Sequence, residues 1–304
     1  MKKIHFILLL FITLSSTFFA CRSPEKEIAV SLPEYTPKIV VEAYMEKGKP
    51  FSVLLSYSQS FFDEPDIPIV KGASINLSDG VTTYTLVEVD LDSIEQFQDD
   101  PVALANYLAG VCPKIITDPN YFSQLMEFNK PFNYFVCDSI DFNYNQYYTL
   151  TVDDNKGTVL TAQAKILPPV TIDQTSISTP NSEGKSNVLA QFQDNSNENN
   201  FYRFVNNKNS LLSEPDNNFQ FEADILNGEQ IVLGSNFIYE SGDTAWLTVY
   251  HLTSTYYDFL ETAELAFQAN GNPFAQPTTI KTNIIGGMGI FAGLSYDRKM
   301  ILIP

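Results

Sequence analysis

The stretch Ile39-Val40-Val41-Glu42-Ala43-Tyr44-Met45-Glu46-Lys47-Gly48-Lys49-Pro50-Phe51-Ser52-Val53-Leu54-Leu55-Ser56-Tyr57 decides the fold class. Ile39, Val41, Ala43 and Met45 recur every second residue, the period of a half-buried strand. Lys47-Gly48-Lys49-Pro50 turns the chain, and Phe51, Val53, Leu55 and Tyr57 take up the alternation again. That is a β-hairpin. A second one follows, with Ala73, Ile75 and Leu77, the turn Ser78-Asp79-Gly80, and a return over 82–89. The third rises over 146–152, turns at Asp153-Asp154-Asn155-Lys156-Gly157 and returns to Ile166. Pro168-Pro169 then ends the sheet, because proline cannot donate to a ladder. Three antiparallel hairpins with one alternating face each predict an immunoglobulin-like β-sandwich over residues 38–170.

Residues 90–140 interrupt that pattern. Ile94, Phe97, Val102, Ala105 and Leu108, divided by Pro101, suggest one or two short helices inserted into the sandwich. Cys112 and Cys137 are expected to close the insertion as a disulfide, in a loop of roughly 25 residues that the chain-entropy model values at about 3 kcal/mol. Two buried free thiols are the alternative. Tyr121, Phe122, Phe132 and Tyr134 fall in expected loops and are the candidate partner contacts, although loop aromatics equally cap a sandwich core. Past residue 171 further strands are expected over 188–192, 201–205, 219–225, 230–233 and 245–252. A helix follows over 255–269, with Tyr256, Phe259, Leu260, Ala263 and Phe267 on one face. The predicted architecture is mainly β: two β-sandwich-like domains, 38–170 and 171–304, the first with a short helical, disulfide-closed insertion and the second with one helix.

The N-terminus carries a different signal. Lys2 and Lys3 precede a short apolar run over 4–12, and Ala20-Cys21 closes the segment. This is the form of a signal peptide, residues 1–20, cleaved before a cysteine that receives lipid, with an ordinary secretory peptide that happens to contain a cysteine as the alternative. Residues 21–37, polar and with Pro33 and Pro37, read as a lipidated tether. At about 0.8 kcal/mol per buried methylene, three acyl chains anchor a protein durably where one does not.

Composition limits the chemistry. Eighteen basic residues stand against 36 acidic ones, a net charge of −18, and the signal peptide removes two of the basic residues and no acidic one. Such a surface repels nucleic acid. His5 leaves with the signal peptide, so His251 is the one histidine of the mature chain, too few for a His-based zinc site within one protomer. It alternates with Leu247 and Val249 and reads as a structural strand residue. Gly286-Gly287-Met288-Gly289 lacks the Lys-Ser/Thr of a phosphate loop. It reads as a place where backbones pack closely, with a partner-docking loop as the alternative. Asp194, Ser196 and Glu198, and the turn at Asp153-Asp154, offer oxygen ligands but incomplete calcium loops. No metal, cofactor or catalytic residue is expected, and the chain reads as a non-enzyme. A carboxylate-dependent hydrolase is the catalytic alternative.

The segments Asn272-Pro273-Phe274, Gln276-Pro277 and Asn283-Ile284-Ile285-Gly286-Gly287-Met288-Gly289-Ile290-Phe291 resemble the ending of an uncharacterised Bacteroidota lipoprotein family. Lys38-Ile39-Val40-Val41-Glu42-Ala43, Val70-Lys71-Gly72-Ala73-Ser74-Ile75, Tyr147-Tyr148-Thr149-Leu150 and Pro168-Pro169-Val170 extend the resemblance over nearly the whole mature chain. Members of that family are often encoded beside TonB-dependent outer-membrane receptors. The resemblance implies an outer-membrane lipoprotein, on the periplasmic or the cell-surface side, that binds a nutrient ligand or accompanies a TonB-dependent receptor. A structural or adhesive envelope protein is the alternative. The family supplies no catalytic residues to transfer.

Cys21→Ala is expected to abolish lipidation and move the protein from the membrane pellet to the soluble fraction. A variant that stays in the pellet and still incorporates labelled fatty acid overturns the anchor.

Overall fold

The computed structural model describes residues 35–60, 67–90, 96–97, 99–118, 132–137, 140–195, 199–223, 228–269 and 278–304. In chain order the elements are β1 (Ile39–Glu46), β2 (Ser52–Tyr57), β3 (Ser74–Ser78), β4 (Thr83–Glu88), α1 (Pro101–Val111), α2 (Lys114–Thr117), β5 (Tyr134–Val136), β6 (Tyr147–Asp153) and β7 (Val159–Lys165). There follow β8 (Gln174–Ile177), β9 (Val188–Gln193), β10 (Phe201–Lys208), β11 (Asn217–Glu222), β12 (Gln230–Gly234), β13 (Thr244–Leu252), α3 (Ser254–Ala269), β14 (Met288–Leu294) and β15 (Tyr296–Leu302). The protein is mainly β.

The first sheet has eight strands in the order β14-β1-β2-β5-β4-β3-β6-β7. Its three hairpins are the ones the alternation predicts. β4 turns the corner between layers, pairing with β3 through Thr83–Thr85 and with β5 through Leu86–Glu88. The sheet curls until its ends meet: Thr161 N donates to Ile285 O (3.2 Å) and Ile285 N donates to Thr161 O (2.8 Å). Val41, Met45, Val53, Leu55, Ile75, Leu77, Leu150 and Val152 fill the space inside. Each such side chain contributes about 1.5–3 kcal/mol on burial.

β14 comes from the far end of the sequence, beyond the expected boundary at 171. It lies parallel to β1, with Val41 opposite Gly289 and Met45 opposite Gly293. The glycines explain how it fits. Gly289 has φ +101°, and a Cβ there would stand 2.0 Å from Val41 O. A Cβ on Gly293 would stand 2.4 Å from Lys165 O, where β14 approaches the end of β7. Close backbone packing is therefore the role of this glycine-rich segment.

The insertion supplies a helix and a strand. Asp100 caps α1, its carboxylate accepting from Val102 N (3.1 Å) and Ala103 N (3.0 Å), and Pro101 takes the first helical position, where its missing N–H costs nothing. Leu104 and Leu108 pack on Phe135, Phe132 and Val89. Cys112, directly after α1, is bonded to Cys137, directly after β5, with Cα atoms 5.5 Å apart.

β5 corrects the reading of two candidate contact residues. Tyr134 and Phe132 are buried, not displayed on a loop. Tyr134 faces the main core, accepting from Ala73 N (3.0 Å) and donating to Val70 O (3.3 Å). β5 lies between β2 and β4 with both faces covered, which accounts for its unbroken apolar run. Tyr121 and Phe122 lie outside the described residues.

The second sandwich has seven strands, β11-β10-β13-β15 in one sheet and β12-β9-β8 in the other. Val188, Ala190 and Phe192 face Tyr202, Phe204, Leu247 and Val249 across its core. α3 leaves β13 and leads to β14, packing Tyr256 with Tyr44, Ile290 and Ala292 of the first sheet and with Leu252 of the second. Its apolar stripe ends early, and Phe267 is exposed. Tyr296 also joins the two parts, donating to Glu46 Oε1 at 2.8 Å. Residues 37–304 thus form one compact unit.

Gly289→Ala is expected to destabilise the protein by about 3 kcal/mol or more, several degrees in Tm, since backbone must move. Gly48→Ala is the control: φ is +77° but nothing lies within 4 Å, so only strain of about 1–2 kcal/mol remains. Equal losses in the two variants contradict the packing role. Asp243 supplies a pH test. Burial acts to raise its pKa, but Lys208 (2.7 Å), Glu240 N–H and Asn209 outweigh burial and hold it at about 2, below the ordinary 3.8. The stability it contributes is present above the ordinary value and lost as pH falls toward 2. Asp243→Asn should therefore lower Tm at pH 7, with the difference closing near pH 2 in thermal melts.

Candidate functional site

Where the linker from β7 to β8 passes the end of β13, the two sandwiches leave a cleft of about 260 Å³. β6 and β7 contribute Tyr147 and Lys165, which face each other in register. The turn before β10 contributes Asn200, and β13 contributes His251. Ser254 and Thr255, on the first turn of α3, complete the rim. The volume lies just under the roughly 300–1,000 Å³ of typical ligand sites, so it suits a small molecule.

His251 fastens the wall. Its Nδ1 lies 2.7 Å from Pro168 O, which ties β13 to the linker between sandwiches. Its Nε2 lies 3.3 Å from Asn200 Oδ1. The Asn200 amide cannot turn round, because its Nδ2 donates to Asp194 Oδ1 (3.1 Å) and Asn195 O (2.8 Å), and both are acceptors only. His251 therefore faces an oxygen at each of its two ring nitrogens. The ring leans on Tyr202, with centroids 5.3 Å apart. Burial, and then the Asp194 carboxylate that accepts its proton at 2.6 Å, push the Tyr202 phenol well above its ordinary range.

The same geometry assigns the acidic turns. Asp194 is buried and accepts from Asn200, Tyr202 and Gly228 N (2.9 Å), a hydrogen-bonded anchor for the turn. Ser196 and Glu198 lie outside the described residues. Asp153 accepts from Asn155 N, and Asp154 from Lys156 N and Thr158 N, each at 2.8 Å, as turn residues do. Among the described residues no group of three or more His, Cys, Asp or Glu is placed to hold a metal. None of the described side chains lining the cleft is Asp or Glu.

Sequence reading singled out His251 but not the cleft around it. Lys165, Ser254 and Thr255 belong to no local motif, Tyr147 stands out only as part of a resembling strand, and only the packing of the two sandwiches assembles them. Pro168-Pro169 was the available signal, since ligand sites favour junctions.

Among solved structures the chain is similar to E. coli alpha-2-macroglobulin in its native conformation, at 9% identity and a TM-score of 0.22. That superposition covers 88% of this chain and 17% of the other. Salmonella alpha-2-macroglobulin reacted with methylamine gives 10% identity and a TM-score of 0.20, covering 88% and 16%. The chain spans about a sixth of the length of each. Among curated proteins none matches. The family model described as Domain of unknown function (DUF4249) matches residues 25–300. That match takes in every described strand of both sandwiches except the end of β15, and the chain belongs to the DUF4249 family.

Proposed function

We propose that this chain is a lipid-anchored, non-enzymatic subunit of an outer-membrane uptake system, holding a small ligand beside a TonB-dependent receptor. The observation that carries the reading is the cleft between the sandwiches, together with the state of the histidine in its wall. Both ring nitrogens of His251 lie against oxygens already placed by the fold, which supports a structural role for the ring rather than one in proton transfer. A recess with hydrogen-bonding walls and an immobilised histidine binds without turning over.

The anchor and the company of a receptor rest on Lys2, Lys3 and Ala20-Cys21, and on the resemblance to Bacteroidota lipoproteins. The strongly acidic chain supports a partner with a basic face, since complementary charge speeds encounter.

The test is purification of the tagged full-length protein from native membranes under mild detergent, with identification of what accompanies it. A TonB-dependent receptor should co-purify in near-stoichiometric amount, and Cys21→Ala should reduce its recovery severalfold. Recovery of no receptor above an untagged control removes the transport role and leaves a structural envelope protein.

A further inference from the structure

The charge distribution around the cleft runs against that of the whole molecule. The chain has twice as many acidic as basic residues, 36 against 18. With 36 acidic residues in a chain of 304, a lining drawn at random would hold one or two carboxylates. The described residues lining the cleft include Lys165 and His251 and neither Asp nor Glu.

The hydrogen-bonding capacity is sorted as well. Three acceptors at or beside the wall are already engaged: Pro168 O and Asn200 Oδ1 against His251, and Asn283 Oδ1 by Phe291 N (3.0 Å). Among the described residues the Lys165 ammonium meets the face of the Tyr147 ring, 5.6 Å from its centroid, and no carboxylate. A ring face partly offsets an ammonium's charge but accepts no full set of hydrogen bonds. The hydroxyls of Ser254 and Thr255 stand at the same rim. The Lys165 ammonium and the hydroxyls of Ser254 and Thr255 are thus the donors this part of the cleft offers an incoming molecule.

We propose that the cleft binds a small oxyanion-bearing ligand, a carboxylate or a phosphate on a molecule about the size of one sugar or amino acid. Lys165 makes the charge-assisted contact, Ser254 and Thr255 donate beside it, and Tyr147 covers the apolar part of the ligand. This rests on the reading of the cleft as a binding site and names what that site takes. In an acidic protein such a positive recess also focuses anions that the rest of the surface repels.

The experiment titrates the full-length protein in detergent with inorganic phosphate, succinate and glucose by calorimetry, beside Lys165→Gln and Lys165→Arg. Phosphate or succinate should saturate one site, and whichever binds tighter distinguishes a phosphate from a carboxylate ligand. Glucose should bind at least about tenfold more weakly, and raised salt should weaken the anion. Lys165→Gln should lower anion affinity about tenfold with Tm unchanged, whereas Lys165→Arg keeps it within about threefold. If glucose binds as tightly as the anions, the oxyanion assignment fails while the cleft stands as a binding site. If anions bind equally well to Lys165→Gln, the site lies elsewhere and the proposal fails. Absence of saturable binding by all three also overturns it, and the co-purified receptor then decides separately whether the transport role survives.

Discussion

The parallel pairing of β14 with β1 is the constraint on which the rest of the structure depends. Without it β1 ends the sheet with an unpaired ladder, and β7 loses the contact at Ile285 that closes the curl. Exposed strand edges invite pairing with other chains, and closing the sheet on itself removes that edge. The two strands are brought together from opposite ends of the described chain, so closure waits for nearly all of it. Gly289 and Gly293 permit the fit where any Cβ would meet backbone, of Val41 in one case and of Lys165 in the other.

That pairing also dictates the cleft. To deliver β14 to the first sheet, the chain must leave the second sandwich after β13 and return for β15. α3 is the outward path, wedged by Tyr256 against Tyr44 and Ile290. Its first turn stands at the rim of the recess, opposite β6 and β7. The linker between sandwiches passes the same place, and His251 holds it there. The residues best placed to meet a ligand therefore stand at the crossover itself.

How far the sequence disclosed this depends on the range of each interaction. The hairpins β1–β2, β3–β4 and β6–β7 were legible because strand period and turn residues are local properties. The bond between Cys112 and Cys137 was legible from parity, as the pair that remains once Cys21 is set apart as the expected lipid site. Tyr134 misled because a three-residue strand inside an irregular insertion has no period to read, and its burial comes from β2 and β4 on either side; Phe132, just before that strand, is covered by Leu104 and Leu108 of α1. The role of Gly289 was visible only as close packing, not as packing on Val41, because nothing near residue 289 points to residue 41. Lys165 and Tyr147 gave no sign of a site: on β6 and β7 they look like any outward-facing pair.

Asparagine side chains do much of the work that strand ladders leave undone. Asn133 accepts from Leu55 N at 2.7 Å and donates to Leu55 O and Val70 O, each at 3.0 Å, replacing backbone hydrogen bonds where β2 and β5 part. Asn283 does the same between Phe291 and Gln163, fixing the approach to β14. Asn200 links the Asp194 turn to His251. An amide offers a donor and an acceptor in the spacing of a peptide group, without charge, so it satisfies buried backbone at little desolvation cost. Two of these three amides belong to the wall of the cleft. A wall braced in this way has little freedom to lose when a ligand arrives, and binding then forfeits less entropy to ordering. Lys165 and the hydroxyls of Ser254 and Thr255 take no part in that bracing and stand at the same cleft.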